Sequence, residues 1–141
     1  KQADEFRVLF LGDSVTFVGL VQQSAETAEI GKLDVFEALL RQESFGVAVL
    51  EAGAAGRPVV VSDADGLVEV VQHGQTGLVV PREDAVGAAE ALRGLIENPE
   101  QRQALGSAGR EQVSTTYGWD QSVSRMLEVY DSALAARRAA Q

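Results

Sequence analysis

Glu43-Ser44-Phe45-Gly46-Val47-Ala48-Val49-Leu50-Glu51, running on through Ala52 to Pro58, is the stretch that settles the fold. An apolar run from Leu33 to Leu40 leads into it, and Gly56-Arg57-Pro58 closes it before a second apolar run, Val59 to Val61. The order is strand, loop, helix, strand, with Phe45-Gly46 at the turn into the helix. In parallel α/β sheets, ligands sit beyond the carboxyl ends of strands, where helix N-termini point backbone N–H groups outward. Those N–H groups and the helix dipole favour anions, phosphate above all. Glu43 stands just before the helix and Glu51 about two turns in, at about 3.6 residues per turn. A carboxylate suits sugar hydroxyls, because it accepts charge-assisted hydrogen bonds.

The 141 residues fit one domain with one core, since domains commonly hold about 100–150 residues. Apolar residues at 45% and charged residues at 23% are ordinary for a soluble globular protein. There is no cysteine, which excludes disulfides and cysteine-ligated zinc, and the single histidine, His73, excludes a histidine-rich metal site. No metal is expected. No apolar run reaches the about 18 residues of a membrane helix, and no signal peptide is visible. A cytoplasmic chain without a transmembrane segment is the expectation. A net charge of −9 argues against nucleic acid as partner, because phosphate backbones demand clustered Lys and Arg. An anionic ligand would have to be held by local N–H groups and a few arginines.

Along the chain, Arg7 to Gly12 and Val15 to Gly19 read as buried strands separated only by Asp13-Ser14. Parallel neighbours need a crossover of about a dozen residues, so either the chain is shortened here or Asp13-Ser14 makes a tight antiparallel turn. Residues 1–14 therefore form an atypical N-terminal segment. Ser24 to Gly31 is a short helix, and Leu33 to Leu40 a central strand in which Glu37 must be paired or exposed. Ser44 to Ala55 is the organising helix; Gly53 costs it about 1 kcal/mol relative to alanine and is expected to pack closely against the sheet. Pro58 to Asp63 is a strand, Gly66 to Val71 a short helix ending near His73-Gly74, and Thr76 to Pro81 a strand. Three helices follow. Asp84 caps the first, which runs to Glu97; Asn98-Pro99 starts the second, to about Thr115; Asp120 caps the last. The last helix carries Val123, Leu127, Tyr130 and Leu134 on one face, ahead of a frayed tail at 135–141. The expected fold is α/β: a Rossmann-like parallel sheet of four to five strands, with helices on both faces and a helical C-terminal end.

Glu43 and Glu51, with seven residues between them, resemble the Glu-x7-Glu motif of retaining glycosyltransferases of the GT-B fold, family 4 type. Leu33-Asp34-Val35-Phe36 upstream and Gly56-Arg57-Pro58-Val59-Val60-Val61-Ser62-Asp63 downstream are similar to the same family. So are Glu69-Val70-Val71, Gly74-Gln75-Thr76-Gly77-Leu78-Val79-Val80-Pro81 and Tyr117-Gly118-Trp119-Asp120. The likeness covers roughly Val15 to Leu134, with its six blocks in order and in register. It implies that residues 1–141 are a single C-terminal, donor nucleotide-sugar-binding domain. The donor would be a UDP- or GDP-sugar, with no further cofactor. Glu43 would contact the donor sugar and is the catalytic candidate, and Glu51 would hold the ribose hydroxyls. The backbone N–H groups of Phe45, Gly46 and Val47 would face the diphosphate or the sugar, and the loop around Gly19, Leu20 and Val21 would flank the base. Family members transfer the sugar with retained configuration, by same-face attack as the nucleotide leaves. Their final helix packs back across to a partner domain. The acceptor-binding N-terminal domain of the family is missing from this chain, so the chain alone is expected to be inactive, with a surface open to self-association.

Some positions depart from the family. No basic Gly-Arg-Leu or Glu-Lys-Gly segment precedes Glu43, Asp65 replaces the first glycine of a Gly-Gly pair, and Leu40 replaces a serine. These departures support an alternative, a truncated or engineered Rossmann-like module without catalytic activity. A remote alternative is an esterase of the Gly-Asp-Ser-Leu type, since Leu9-Phe10-Leu11-Gly12-Asp13-Ser14 resembles its nucleophile block. Its Asp-x-x-His partner block is absent. Among single residues, Phe45 also reads as a staple onto the core, Glu69 as a helix-start carboxylate and His73 as a helix-end residue. Arg41 and Arg57 read as surface arginines or phosphate contacts, and Trp119 as a packing anchor before the last helix.

Overall fold

Val59, Val60 and Val61 are stiff at χ1 and fit an extended, pleated backbone, and they form β2 (Val59–Ser62). In the computed structural model, which describes residues 28–139, β1 (Phe36–Ala38) and β3 (Leu78–Val80) flank β2 on either side, both parallel to it. The register sets Phe36 beside Val59 and Val60 beside Leu78. Parallel neighbours need helical crossovers, and α1 (Val47–Ala54) and α2 (Asp65–Val70) provide them. Three strands lie among the described residues. The other two expected strands, Arg7 to Gly12 and Val15 to Gly19, lie outside them, as do Ser14 and the loop around Gly19, Leu20 and Val21. Of the expected helix from Ser24 to Gly31, residues 28–30 are described and helical.

Alternation along β2 divides the core in two. Val59 and Val61 join Phe36, Val49, Ala52, Leu67 and Val70 on the α1–α2 face. Val60 points the other way, with Val35, Ala88, Leu95 and Leu105, against α3 (Ala85–Glu97) and α4 (Pro99–Thr116). Both faces of the sheet are covered, which is why β2 is an unbroken apolar run rather than an alternating one. Each valine buried there contributes about 1.5–3 kcal/mol.

The helix ends follow side-chain chemistry. The Asp84 carboxylate accepts the Gly87 N–H at 2.9 Å, and the Asn98 side chain accepts the Gln101 N–H at 3.0 Å with Pro99 in the first turn, as the sequence leads one to expect. Asp120 is not a cap: α5 (Trp119–Ala139) already includes it in its first turn. Glu69 is not at a helix start, because α2 begins at Asp65 and Glu69 falls in its second turn. Helix α1 starts at Val47 rather than Ser44, since Gly46 takes a left-handed conformation (φ +89°) that the helix cannot continue. Gly53 does pack closely, but against α4 instead of the sheet: a Cβ there would lie 3.1 Å from Val113 Cγ2. Trp119 is no packing anchor. It is 81% exposed, and Val123, Leu127, Tyr130 and Leu134 are exposed too. Helical spacing identifies a face suited to burial without saying what covers it, and among the described residues nothing does.

The tightest approach is at Gly66. A Cβ there would stand 2.4 Å from Phe45 N and Ser44 C and 2.5 Å from Ser44 O, so any side chain must push the 43–46 backbone away. Gly66→Ala is expected to destabilise the fold by about 3 kcal/mol. Gly94, in α3 with nothing within 4 Å of such a Cβ, is the control: Gly94→Ala should stabilise by up to about 1 kcal/mol. Urea denaturation midpoints of the two variants check the contrast.

Candidate functional site

The site is a loop hung between strand ends. β1 ends at Ala38, and the chain crosses the carboxyl edge of the sheet before turning into α1. Ser62, buried at the end of β2, donates its hydroxyl to Leu40 O at 2.5 Å. Further on, Glu43 O accepts the Gly66 N–H at 2.9 Å, which brings the loop down onto α2.

Within this loop the Glu43 carboxylate turns back on its own backbone. One oxygen, Oε1, accepts the N–H of Phe45 at 3.1 Å and that of Gly46 at 3.2 Å. Successive N–H groups ending in a left-handed residue form a concavity for negative charge. The Phe45 N–H holds the Glu43 carboxyl below its ordinary acidity range; partial desolvation opposes this, and the Gly46 N–H and Ser44 reinforce it. Val47 and Ala48 N–H, the first of α1, have no hydrogen-bond acceptor among the described residues, as helix geometry requires of a first turn.

Glu43 and Gly46 line a cavity of about 360 Å³, together with Glu37 and apolar walls from Phe36, Leu39 and Leu67. Glu37, half-buried on β1, lines this cavity, a site to which sequence reasoning did not assign it. Its only signal was a carboxylate inside an apolar run. Glu51 is half-buried on the second turn of α1 and does not line this cavity. The Phe45 ring is 43% exposed and meets the Tyr117 ring edge-on, 6.1 Å between centroids at 71°. Of the sequence candidates, then, Glu43, Phe45, Gly46 and Val47 are brought together, with Glu51 one turn further on, but the Phe45 and Gly46 N–H groups, expected to face the diphosphate or the sugar, donate to Glu43 instead; Gly19 and Val21 lie outside the described residues.

Cations near this edge are paired. Arg82, which sequence reasoning passed over, bonds Asp63 Oδ1 through Nε at 3.0 Å and reaches Asp65 at 3.9 Å, so it offsets the extra charge Asp65 brings. Arg41 pairs with Glu83 at 2.8 Å. Arg57 donates to Leu33 O at 3.0 Å, at the amino ends of β1 and β2, where no phosphate at this site could meet it. His73 lies beyond the end of α2, its Nδ1 accepting the Val79 N–H at 2.9 Å. Among the described residues, no group of His, Cys, Asp and Glu could hold a metal ion, and no helix is long and apolar enough to cross a membrane.

A protein-family model for glycosyl transferases group 1 matches residues 4–112. The GDP-mannose-dependent alpha-(1-6)-phosphatidylinositol monomannoside mannosyltransferase of Mycobacterium tuberculosis is 34% identical over 134 residues, 90% of this chain and 35% of that protein. Among solved structures, sucrose-phosphate synthase from Thermosynechococcus elongatus matches with a TM-score of 0.77 at 34% identity, over 89% of this chain and 31% of that one. Alr3699/HepE of Anabaena, crystallised with UDP-glucose, shares the fold with a TM-score of 0.68 at 22% identity, over 75% and 30%. The chain spans about a third of the length of the curated relatives it matches. Nothing among these matches supports the esterase reading of Ser14.

The Glu43 bonds carry a pH signature. Its folded pKa lies below the ordinary 4.5, so the stability it contributes is complete above that value and is lost as pH falls through the lower, native one. Glu43→Gln is expected to be less stable than the parent at neutral pH, the two converging as pH falls through the lowered native pKa. Urea denaturation from pH 7 downward checks this; a difference that stays constant across the range would assign the effect to packing rather than to charge.

Proposed function

We propose, since this chain belongs to the glycosyl transferases group 1 family, that the edge around Glu43 and Glu51 binds a nucleotide-diphosphate sugar as donor for hexosyl transfer. The fold is that of a GT-B C-terminal domain. Phe45 and Gly46 N–H groups fix Glu43, which faces the donor sugar from the cavity wall. Val47 N–H, at the head of α1, takes the diphosphate with the help of the helix dipole. Glu51 accepts the ribose hydroxyls, and the loop around Gly19, Leu20 and Val21 flanks the base. Rate enhancement comes mainly from stabilising the departing diphosphate while the acceptor attacks on the same face. The acceptor is bound by another domain, without which this chain is inactive.

The observation that carries this reading is the Glu43 carboxylate held at the wall of a cavity beyond β1, directly ahead of the α1 N-terminus. The relative's GDP-mannose dependence and the UDP-glucose complex of the Anabaena protein support the donor class and leave the base to experiment.

Calorimetric titration of the chain with UDP and with GDP is the test. One of the two should bind, and Glu51→Ala should weaken it about ten- to a hundredfold, the loss of a hydrogen bond to a charged group. Absence of binding to either at millimolar concentration would instead favour a module without donor function.

A further inference from the structure

We infer that Tyr117, at the C-terminal end of α4, is a positioning residue for the Glu43 carboxylate, acting through the Phe45 ring. Its functional meaning rests on the donor-site reading above; its geometry does not.

Phe45 has two attachments. Its backbone N–H donates to Glu43 Oε1 at 3.1 Å, and its ring meets the edge of Tyr117 at 6.1 Å. With 43% of Phe45 exposed, no enclosing core fixes the ring. Tyr117, by contrast, is half-buried against the α1–α2 face of the core. Its own N–H bonds Val113 O at 2.9 Å, which anchors it to the last turn of α4. One turn earlier, Gln112 Nε2 donates to Val70 O at 3.2 Å, tying α4 to the end of α2. The first turn of α2 carries Gly66, whose N–H bonds Glu43 O. The loop from Glu43 to Gly46 is therefore gripped from two sides, by backbone at Gly66 and by an aromatic edge at Tyr117. The Gly66 contact fixes the loop's height above α2. The Tyr117 contact holds the Phe45 ring, so a rotation of the peptide that carries the Phe45 N–H would have to be taken up at χ1, away from its staggered well, and the contact thereby favours the orientation in which that N–H meets Glu43. The Tyr117 hydroxyl has no hydrogen-bond partner among the described residues, so the ring and not the hydroxyl does the holding.

Of the charged groups on neighbouring elements, Glu37 on β1 lines the same cavity as Glu43, while Asp65 on α2 lies near Arg82 after β3. None of the three is substituted in the variants that test this inference.

The experiment is an NMR pH titration of the whole chain without ligand, following the Glu43 side-chain carboxyl and the Phe45 and Gly46 amides. In the parent, Glu43 should titrate below 4.5, with both amides reporting the same midpoint. Tyr117→Phe should leave this unchanged. Tyr117→Leu, and Phe45→Leu at a position outside the buried core, should each move the Glu43 midpoint up towards its ordinary value and erase the response of the residue-45 amide. If both leucine variants titrate like the parent, or if Tyr117→Leu moves distant glutamates such as Glu90 as much as Glu43, Tyr117 is packing only and the inference fails. Should Tyr117→Leu not fold, Tyr117→Met, which keeps apolar bulk but offers no ring edge, takes its place and must give the same Glu43 shift. Titrating the same proteins with UDP and GDP separates the two ideas. A Glu43 shift without nucleotide binding in the parent sinks the donor site and leaves the positioning role, whereas binding with an unmoved Glu43 does the reverse.

Discussion

Everything at the carboxyl edge depends on how closely one loop lies against one glycine. The Glu43–Gly46 backbone sits within 2.5 Å of where a Gly66 Cβ would be, and the Gly66 N–H holds Glu43 O from beneath. That contact sets the depth of the loop, the depth sets the left-handed turn at Gly46, and the turn aims two N–H groups at a single carboxylate oxygen. Shift the loop outward by one methyl group and the order of these steps is broken at its first link. The sheet beneath can tolerate little adjustment, since Val60 and Val61 are fully enclosed between two layers of helix and interiors packed to this density transmit displacement rather than absorb it.

Charge at this edge is managed locally. A chain of net −9 has no basic field to offer an anion. Instead, Arg82 is paired with Asp63 and lies near Asp65, Arg41 is paired with Glu83, and among the described residues the start of α1 offers backbone N–H to a negative ligand. These exposed pairs contribute little to stability; their role is to keep the carboxylates of the edge from repelling what the N–H groups attract.

Much of this was legible in the sequence. The valines of β2, the Asp84 and Asn98 caps and the turn at Phe45-Gly46 are short-range features, and each appears within a residue or two of where local chemistry puts it. The placement of Glu43 ahead of a helix start was equally plain. Less legible were features set by partners far away in the chain. Gly53 advertised close packing, yet its neighbour is α4. Trp119 and the Val123–Leu134 face advertised burial, yet are exposed. Tyr117 looked like part of a motif, and only the fold shows that it reaches Phe45. Periodicity specifies a face and a period; it carries no address for the surface opposite.

The distance along the chain between Phe45 and Tyr117 also has a temporal side. Strand β1, α1 and β2 are contiguous and can assemble as soon as they are synthesised, whereas the aromatic edge that meets Phe45 arrives only after three further helical segments. Closing so long a segment is entropically slow compared with pairing neighbours. On a ribosome, which makes chains from the N-terminus, the sheet therefore exists before its working edge does. The aromatic hold on the site loop is therefore made later than the backbone hold at Gly66, and it is lost when the end of α4 comes away.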